Sequence, residues 1–309
     1  MNSSPKTFGT GPLRIAMLLS LLCVLPSCGD GNDAEQPTVL RFSGIPDRNK
    51  GEVAANSKKL AAWLTEKLGV EVRYQASNSY TTSVNGLAAN KIDFAWLGGM
   101  TTCDAIDAGA GKVHVLATRD IDLQFKSYFI GNHASIAAGK LAAVDDLGAW
   151  RESASKLKFT FGDVSSTSGH LMPRYFLTAA GIDPEKDFAS VGFAEGGHSG
   201  TLAAVAAGSY DCGALNYEVY DHASPELKAK AKLLYTTPEY VDYSWVVHDR
   251  VGAERIEKLR AALLSLNASD PDEAAILKAW SAGKFVAAKD SQWDAIREVR
   301  DSIPKEWLK

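Results

Sequence analysis

Excess positive charge, cysteine and long apolar runs are all scarce in this chain of 309 residues. It has 33 Lys and Arg against 37 Asp and Glu, a formal charge of −4, and no basic tract. A nucleic-acid backbone calls for such a tract, so that class of partner is set aside. Four cysteines are too few for a disulfide scaffold. No grouping of His, Cys and carboxylates has the spacing of a zinc site, and no metal or cofactor is expected. The G-x-x-x-x-G-K-[S/T] phosphate loop and the G-x-S-x-G nucleophile elbow are both missing. Without an activated nucleophile or a metal cluster, the chain reads as a binder and not an enzyme.

The apolar run IAMLLSLLCVL is too short to span a bilayer as a stable helix. With Lys6 and Arg14 before it and no acid, residues 1–27 have the pattern of a secretory signal. The run ends in LPSC, which resembles the lipobox of bacterial lipoproteins, with Cys28 as the acylated first residue. Ordinary cleavage leaving a free cysteine is the alternative. GDGNDAEQP then reads as a tether over 28–37. Removing the leader leaves 31 basic and 37 acidic residues, formally −6.

From VLRFSGI onward, short strands alternate with helical patterns, the mark of βα units on a mostly parallel sheet. Strands are expected at 70–76, 92–99 and 113–118, with helices at 79–91 and after the AWLGG glycines. The theme restarts with LKFTFG (157–162), a helix over 168–181 and another over 198–208. Two such sets predict two lobes with a groove between them. Amphipathic helices in the tail, carrying Ile256, Leu259, Leu263, Leu264, Trp293, Ile296 and Val299, should pack back onto a lobe.

Three predicted helix starts are rich in donors. FTFGDVSSTSG sets Ser166, Thr167 and Ser168 where backbone N–H groups are unpaired, which favours a tetrahedral oxyanion. SNSYTTS brings Tyr80, and EGGHSGT brings His198. Each alone is equally a helix cap; the three together favour one shared anion site. Trp96 and Trp245 either wall the cleft or fill a core. Cys103 is either a small core residue or a thiolate for arsenite.

At this point the chain resembles the periplasmic phosphate/phosphite/phosphonate-binding component of ABC importers. The segments GIPDRN, SYTTSVNGLAANKIDFAWLGG, FKSYFIGN, FTFGDVSSTSGHLMP and GHSGTLAAVAAGSYDCGALNYEVYD carry the likeness, over about 39–245. FVAAKDSQWDAIREV also fits, and some features are close to members assigned to selenate. The resemblance implies an α/β type II periplasmic-binding-protein fold with hinged lobes. Lobe one would be 38–128 plus 240–309 and lobe two 129–239, crossing near 125–132 and 235–243. It implies Tyr80, Ser166, Thr167, Ser168 and His198 as the anion's partners, with Leu97 where the family has a further aromatic. It also implies Glu218 and Asp242 as partners for the amine of an aminoalkyl phosphonate. The expected protein is a monomer, lipid-anchored through Cys28 on the periplasmic side, passing a phosphonate or phosphite-like anion to a membrane permease. Selenate, phosphate or arsenite binding, or sensing for a histidine kinase, are the alternatives.

Overall fold

The computed structural model describes residues 37–48 and 50–308, together with Gly9; Cys28 and the leader's apolar run lie outside them. Among the described residues no helix is long and apolar enough to cross a membrane. In chain order the strands are β1 (Val39–Gly44), β2 (Glu71–Tyr74), β3 (Phe94–Leu97), β4 (Val113–Arg119), β5 (Ser127–Asn132) and β6 (Lys158–Phe161). β7 (Ser190–Phe193), β8 (Cys212–Asn216), β9 (Ala231–Thr236), β10 (Ser244–His248) and β11 (Phe285–Ala287) follow. They form two separate sheets, ordered β11-β4-β10-β3-β1-β2 and β7-β6-β8-β5-β9. This is the two-lobed α/β architecture expected from the βα alternation.

The sheets are mixed in direction, with four parallel and five antiparallel pairings, so the expectation of a mostly parallel sheet does not hold. Within each βα set the pairing is parallel, β1 with β2 and β3, and β6 with β7 and β8. The strands that follow each crossing, β5 and β10, run antiparallel to both neighbours. The chain leaves the first sheet after β4 and enters the second at Ser127, returning after Thr236. The two crossings lie side by side: Phe125 N–H donates to Tyr240 O at 2.8 Å, and Tyr240 N–H to Phe125 O at 2.9 Å.

Side-chain alternation sorts the second sheet's cores. Phe129 and Ala214 join Trp150 and Phe159 on one face. Their neighbours Ile130 and Leu215 pack with Leu202 and Val205 on the other, as the period of two requires. In the first lobe the tail helices Ala253–Ser265, Pro271–Ala279 and Asp294–Ser302 deliver Leu259, Leu263, Ile276 and Ile296 to the core. Each fully buried aliphatic side chain there contributes about 1.5–3 kcal/mol before entropy is counted. The helix expected over 168–181 is in two parts, a wide turn at Thr167–Leu171 and a helix at Met172–Ala179. Pro173 sits in the first turn of the second part, where a missing N–H costs little.

Candidate functional site

The hydroxyl-rich turn is closed on itself. Gly162 N–H donates to Gly169 O at 2.9 Å, and Leu171 N–H reaches back five residues to Ser166 O at 2.9 Å. Such π-type closures are frequent at functional sites. The Ser166 hydroxyl accepts from Gly169 N–H at 3.0 Å, so the capping role is real. Behind the turn, His170 Nδ1 donates to Val164 O at 2.7 Å while Nε2 accepts from Arg174 Nε at 2.9 Å. Burial, with Arg174 beside it, lowers the His170 pKa to about 3, so this ring is a neutral brace for the loop. Thr167 and Ser168 begin the turn, where their N–H groups have no intrahelical acceptor.

The turn inserts into lobe one. Thr167 Oγ1 accepts from Met100 N–H at 2.9 Å, the first turn of the helix after β3. The glycines of AWLGG make that approach possible. A Cβ on Gly98 would lie 3.3 Å from both Thr167 Oγ1 and Asp242 Oδ1. On the other side, Gly197 has φ +63°, and a Cβ there would come within 2.8 Å of Asp47 O.

His198 faces the same spot. Its Nδ1 accepts from Asn216 N–H at 3.2 Å, which places the ring proton on Nε2. Nε2 lies 3.5 Å from both Ser166 Oγ and Ser168 Oγ. Burial lowers its pKa to about 4, so at neutral pH it is an uncharged donor. Tyr80, 3% exposed, brings its phenol beside Ser166, and burial keeps that phenol protonated. The Tyr80 hydroxyl has no hydrogen-bond partner. Asp242 takes Gly99 N–H on Oδ1 at 2.8 Å, and its carboxyl faces Thr167 and Ser168. Its Oδ2 is buried without a partner. Burial first, then the charge of Asp122, pushes this carboxyl up to about 7, against the bond from Gly99. The structure therefore gathers Tyr80, Ser166, Thr167, Ser168, His198 and Asp242 from both lobes. Donors outnumber acceptors, and two buried polar atoms are left orphaned, a combination that suits a small oxyanion.

Glu218 has a different setting. Both its oxygens are engaged by guanidinium groups, from Arg119 at 2.9 and 3.2 Å and from Arg48 at 3.2 Å. Several residues here escaped the sequence reading. Asp47 accepts from the Tyr243 hydroxyl at 2.7 Å, Tyr240 bonds Ser127 Oγ at 2.6 Å beside Ser168, and Asn216 fixes the His198 tautomer. Asp47 stands in GIPDRN and the tyrosines in EYVDYSW, segments already distinctive in the chain. Besides Tyr80, ring hydroxyls near the site come from Tyr240 and Tyr243, while Leu97 is buried in the lobe-one core.

Trp96 and Trp245 face each other across the β3–β10 ladder in that core. Trp96 also stacks on Tyr243 at 5.6 Å and 10°, linking core to cleft. Cys103 is a core residue too; burial pushes its thiol up to about 12. Among the described residues no group of three or more His, Cys, Asp or Glu could hold a metal ion.

Residues 42–293 match the family described as "ABC transporter, phosphonate, periplasmic substrate-binding protein". The chain is 32% identical to the Prochlorococcus marinus (strain MIT 9301) protein named "Probable ABC transporter phosphite binding protein PhnD1", covering 87% of this chain and 91% of that one. It is 26% identical to the "Phosphonates-binding periplasmic protein" of Escherichia coli (strain K12), over 86% of this chain and 77% of the relative. The solved structure of the Prochlorococcus protein in complex with methylphosphonate superposes with a TM-score of 0.79 at 33% identity, covering 86% of this chain and 98% of that one.

Proposed function

The chain belongs to the periplasmic substrate-binding proteins of phosphonate ABC transporters, and from that premise we propose that it captures a phosphonate or phosphite between its lobes. It is a solute-binding protein, not an enzyme. The observation that carries the ligand reading is the pair of orphaned buried atoms, Tyr80 Oη and Asp242 Oδ2, within the ring of donors. In this reading Ser166, Thr167, Ser168, Tyr80 and His198 Nε2 donate to the anion's oxygens. Asp242 accepts a proton that a singly protonated phosphorus oxyanion carries. Specificity then follows from unpaired groups: above the Asp242 pKa of about 7, an anion without that proton leaves a buried carboxylate facing negative charge.

We place lobe one at 38–126 plus 240–308 and lobe two at 127–239, since β5 begins at Ser127, hinged where the crossings pair at Phe125 and Tyr240. Ligand bridges the lobes and favours closure, and the closed form is handed to a permease. Cys28 carries the lipid that holds the protein at the periplasmic face of the membrane; the LPSC motif and the polar tether support this.

The test is calorimetry with methylphosphonate and phosphite on His198→Ala and Tyr80→Phe. A hydrogen bond to a charged group is worth about 1.5–3 kcal/mol, so each variant should bind about ten- to a hundredfold more weakly. Unchanged affinity in both folded variants would remove this site from the account.

A further inference from the structure

Glu218 belongs to a buried ion network that crosses the cleft. It rises from the lobe-two helix Tyr217–Asp221, while Arg119, Arg48 and Asp122 belong to the lobe-one side. Arg119 uses its whole guanidinium group: Nε and Nη2 bond Asp122 at 2.7 Å each, Nη1 and Nη2 hold Glu218, and Nη1 also bonds Trp280 O at 2.6 Å. Arg119, Asp122 and Glu218 are 1%, 0% and 3% exposed. The guanidinium carbon lies 5.1 Å from the Tyr243 ring and 5.4 Å from the Trp96 ring, so lobe one holds it in place. The network adjoins the anion site, since Asp47, Arg48 and Glu218 all act on the His198 imidazole.

We propose that Glu218 is the lobe-two half of a latch closed by Arg119 and Arg48, and that this latch bars ligands with an ammonium tail. The selectivity half rests on the oxyanion reading above; the latch half does not. An ammonium group needs acceptors that are not already committed. Glu218 offers none once two guanidinium groups hold it, Asp122 is engaged by Arg119, and Asp47 is engaged by Tyr243 with Arg48 Nε at 3.8 Å. Three carboxylates against two guanidinium groups leave this side at a formal −1, so the bar is the commitment of those oxygens and not repulsion between cations. The site therefore takes tailless or one-carbon phosphorus oxyanions. Opening returns the charges to water, so the latch can release; removing one partner leaves the others buried and uncompensated only in the closed form.

Calorimetry with methylphosphonate, phosphite and 2-aminoethylphosphonate on the wild type and Glu218→Gln tests this, with small-angle scattering of both ligand-free proteins. The wild type should bind the better of the first two about a hundredfold or more tightly than the amine. Glu218→Gln should weaken both tailless anions about tenfold or more, and should scatter as a larger particle without ligand. Should Glu218→Gln fail to fold, Arg48→Gln, at a side chain 26% exposed, makes the same test with a smaller loss. Tight wild-type binding of the amine, or a loss in Glu218→Gln confined to the amine, would overturn the proposal. Binding of none of the three would overturn the oxyanion reading instead; the latch is then decided by the ligand-free scattering, where identical profiles refute it.

Discussion

Replacing Asp242 with Asn removes a buried acid from a place that penalises its charge, and the effect should be visible without any ligand. The carboxyl is 1% exposed, with one oxygen on Gly99 N–H and the other unpartnered. Its pKa is raised from an ordinary 3.8 to about 7. The folded state thus holds the proton over a range in which the unfolded chain has released it. The stabilisation is complete below the unfolded value and drains away as pH rises through the folded one. Each unit of difference is worth about 1.4 kcal/mol, so from about pH 5 to about pH 7, where the folded group is itself half-ionised, the wild type should lose about 2 kcal/mol from this group. Asn keeps an acceptor for Gly99 and does not titrate. His198 and His170, lowered to about 4 and about 3, impose the opposite slope between those values and 6.5. They do so in both proteins, so the difference between the two isolates Asp242. Denaturant unfolding of ligand-free wild type and Asp242→Asn across that range measures it. The variant should gain steadily on the wild type as pH rises; two parallel stability curves would refute the reasoning.

Two other substitutions probe closure. Thr167→Val strips Met100 N–H of its acceptor in the closed form, and an unsatisfied buried donor costs about 1–3 kcal/mol. Calorimetry should show methylphosphonate affinity falling about tenfold, and an unchanged value would contradict the contact. Gly197→Ala forces a left-handed alanine costing about 1–2 kcal/mol and drives its Cβ toward Asp47 O. Its ligand-free melting temperature should drop modestly, while the upward shift on adding methylphosphonate should largely vanish; a full shift would show that closure tolerates the methyl. For the anchor, Cys28→Ser should release protein that otherwise sediments with membranes, as judged by fractionation, and wild-type protein free of lipid by mass spectrometry would end that proposal.

Much of the site was legible because its chemistry is local. Ser166, Thr167 and Ser168 crowd one turn, and Tyr80 and His198 each sit in the first turn of a helix, so donor density alone marked them. What stayed hidden depends on distant partners. Glu218 meets Arg119 and Arg48 from 99 and 170 residues away, and no spacing rule relates them. Tyr243 and Asp47 meet from 196 residues away. The His198 tautomer is set by a backbone amide of β8, which a sequence cannot aim. Element types were accessible through period and glycine placement, yet the antiparallel β5 and β10 were not. Their direction comes from where the chain re-enters a lobe, not from the residues within the strand. The π-type turn was hidden for a similar reason: the Leu171-to-Ser166 and Met172-to-Thr167 bonds distinguish it from an ordinary first helical turn.

The central claim is capture of a small phosphorus oxyanion by a ring of neutral donors and one proton-accepting acid. Its most direct test is a calorimetric titration of the wild-type soluble chain, freed of bound solute by unfolding and refolding, with methylphosphonate, phosphite and sulfate in turn. At about pH 8, where Asp242 is ionised, the account predicts one-to-one binding of methylphosphonate or phosphite, with sulfate, which has no proton to give that carboxylate, bound at least about a hundredfold more weakly. Sulfate binding as tightly as either phosphorus anion, or folded protein that binds none of them, would contradict it.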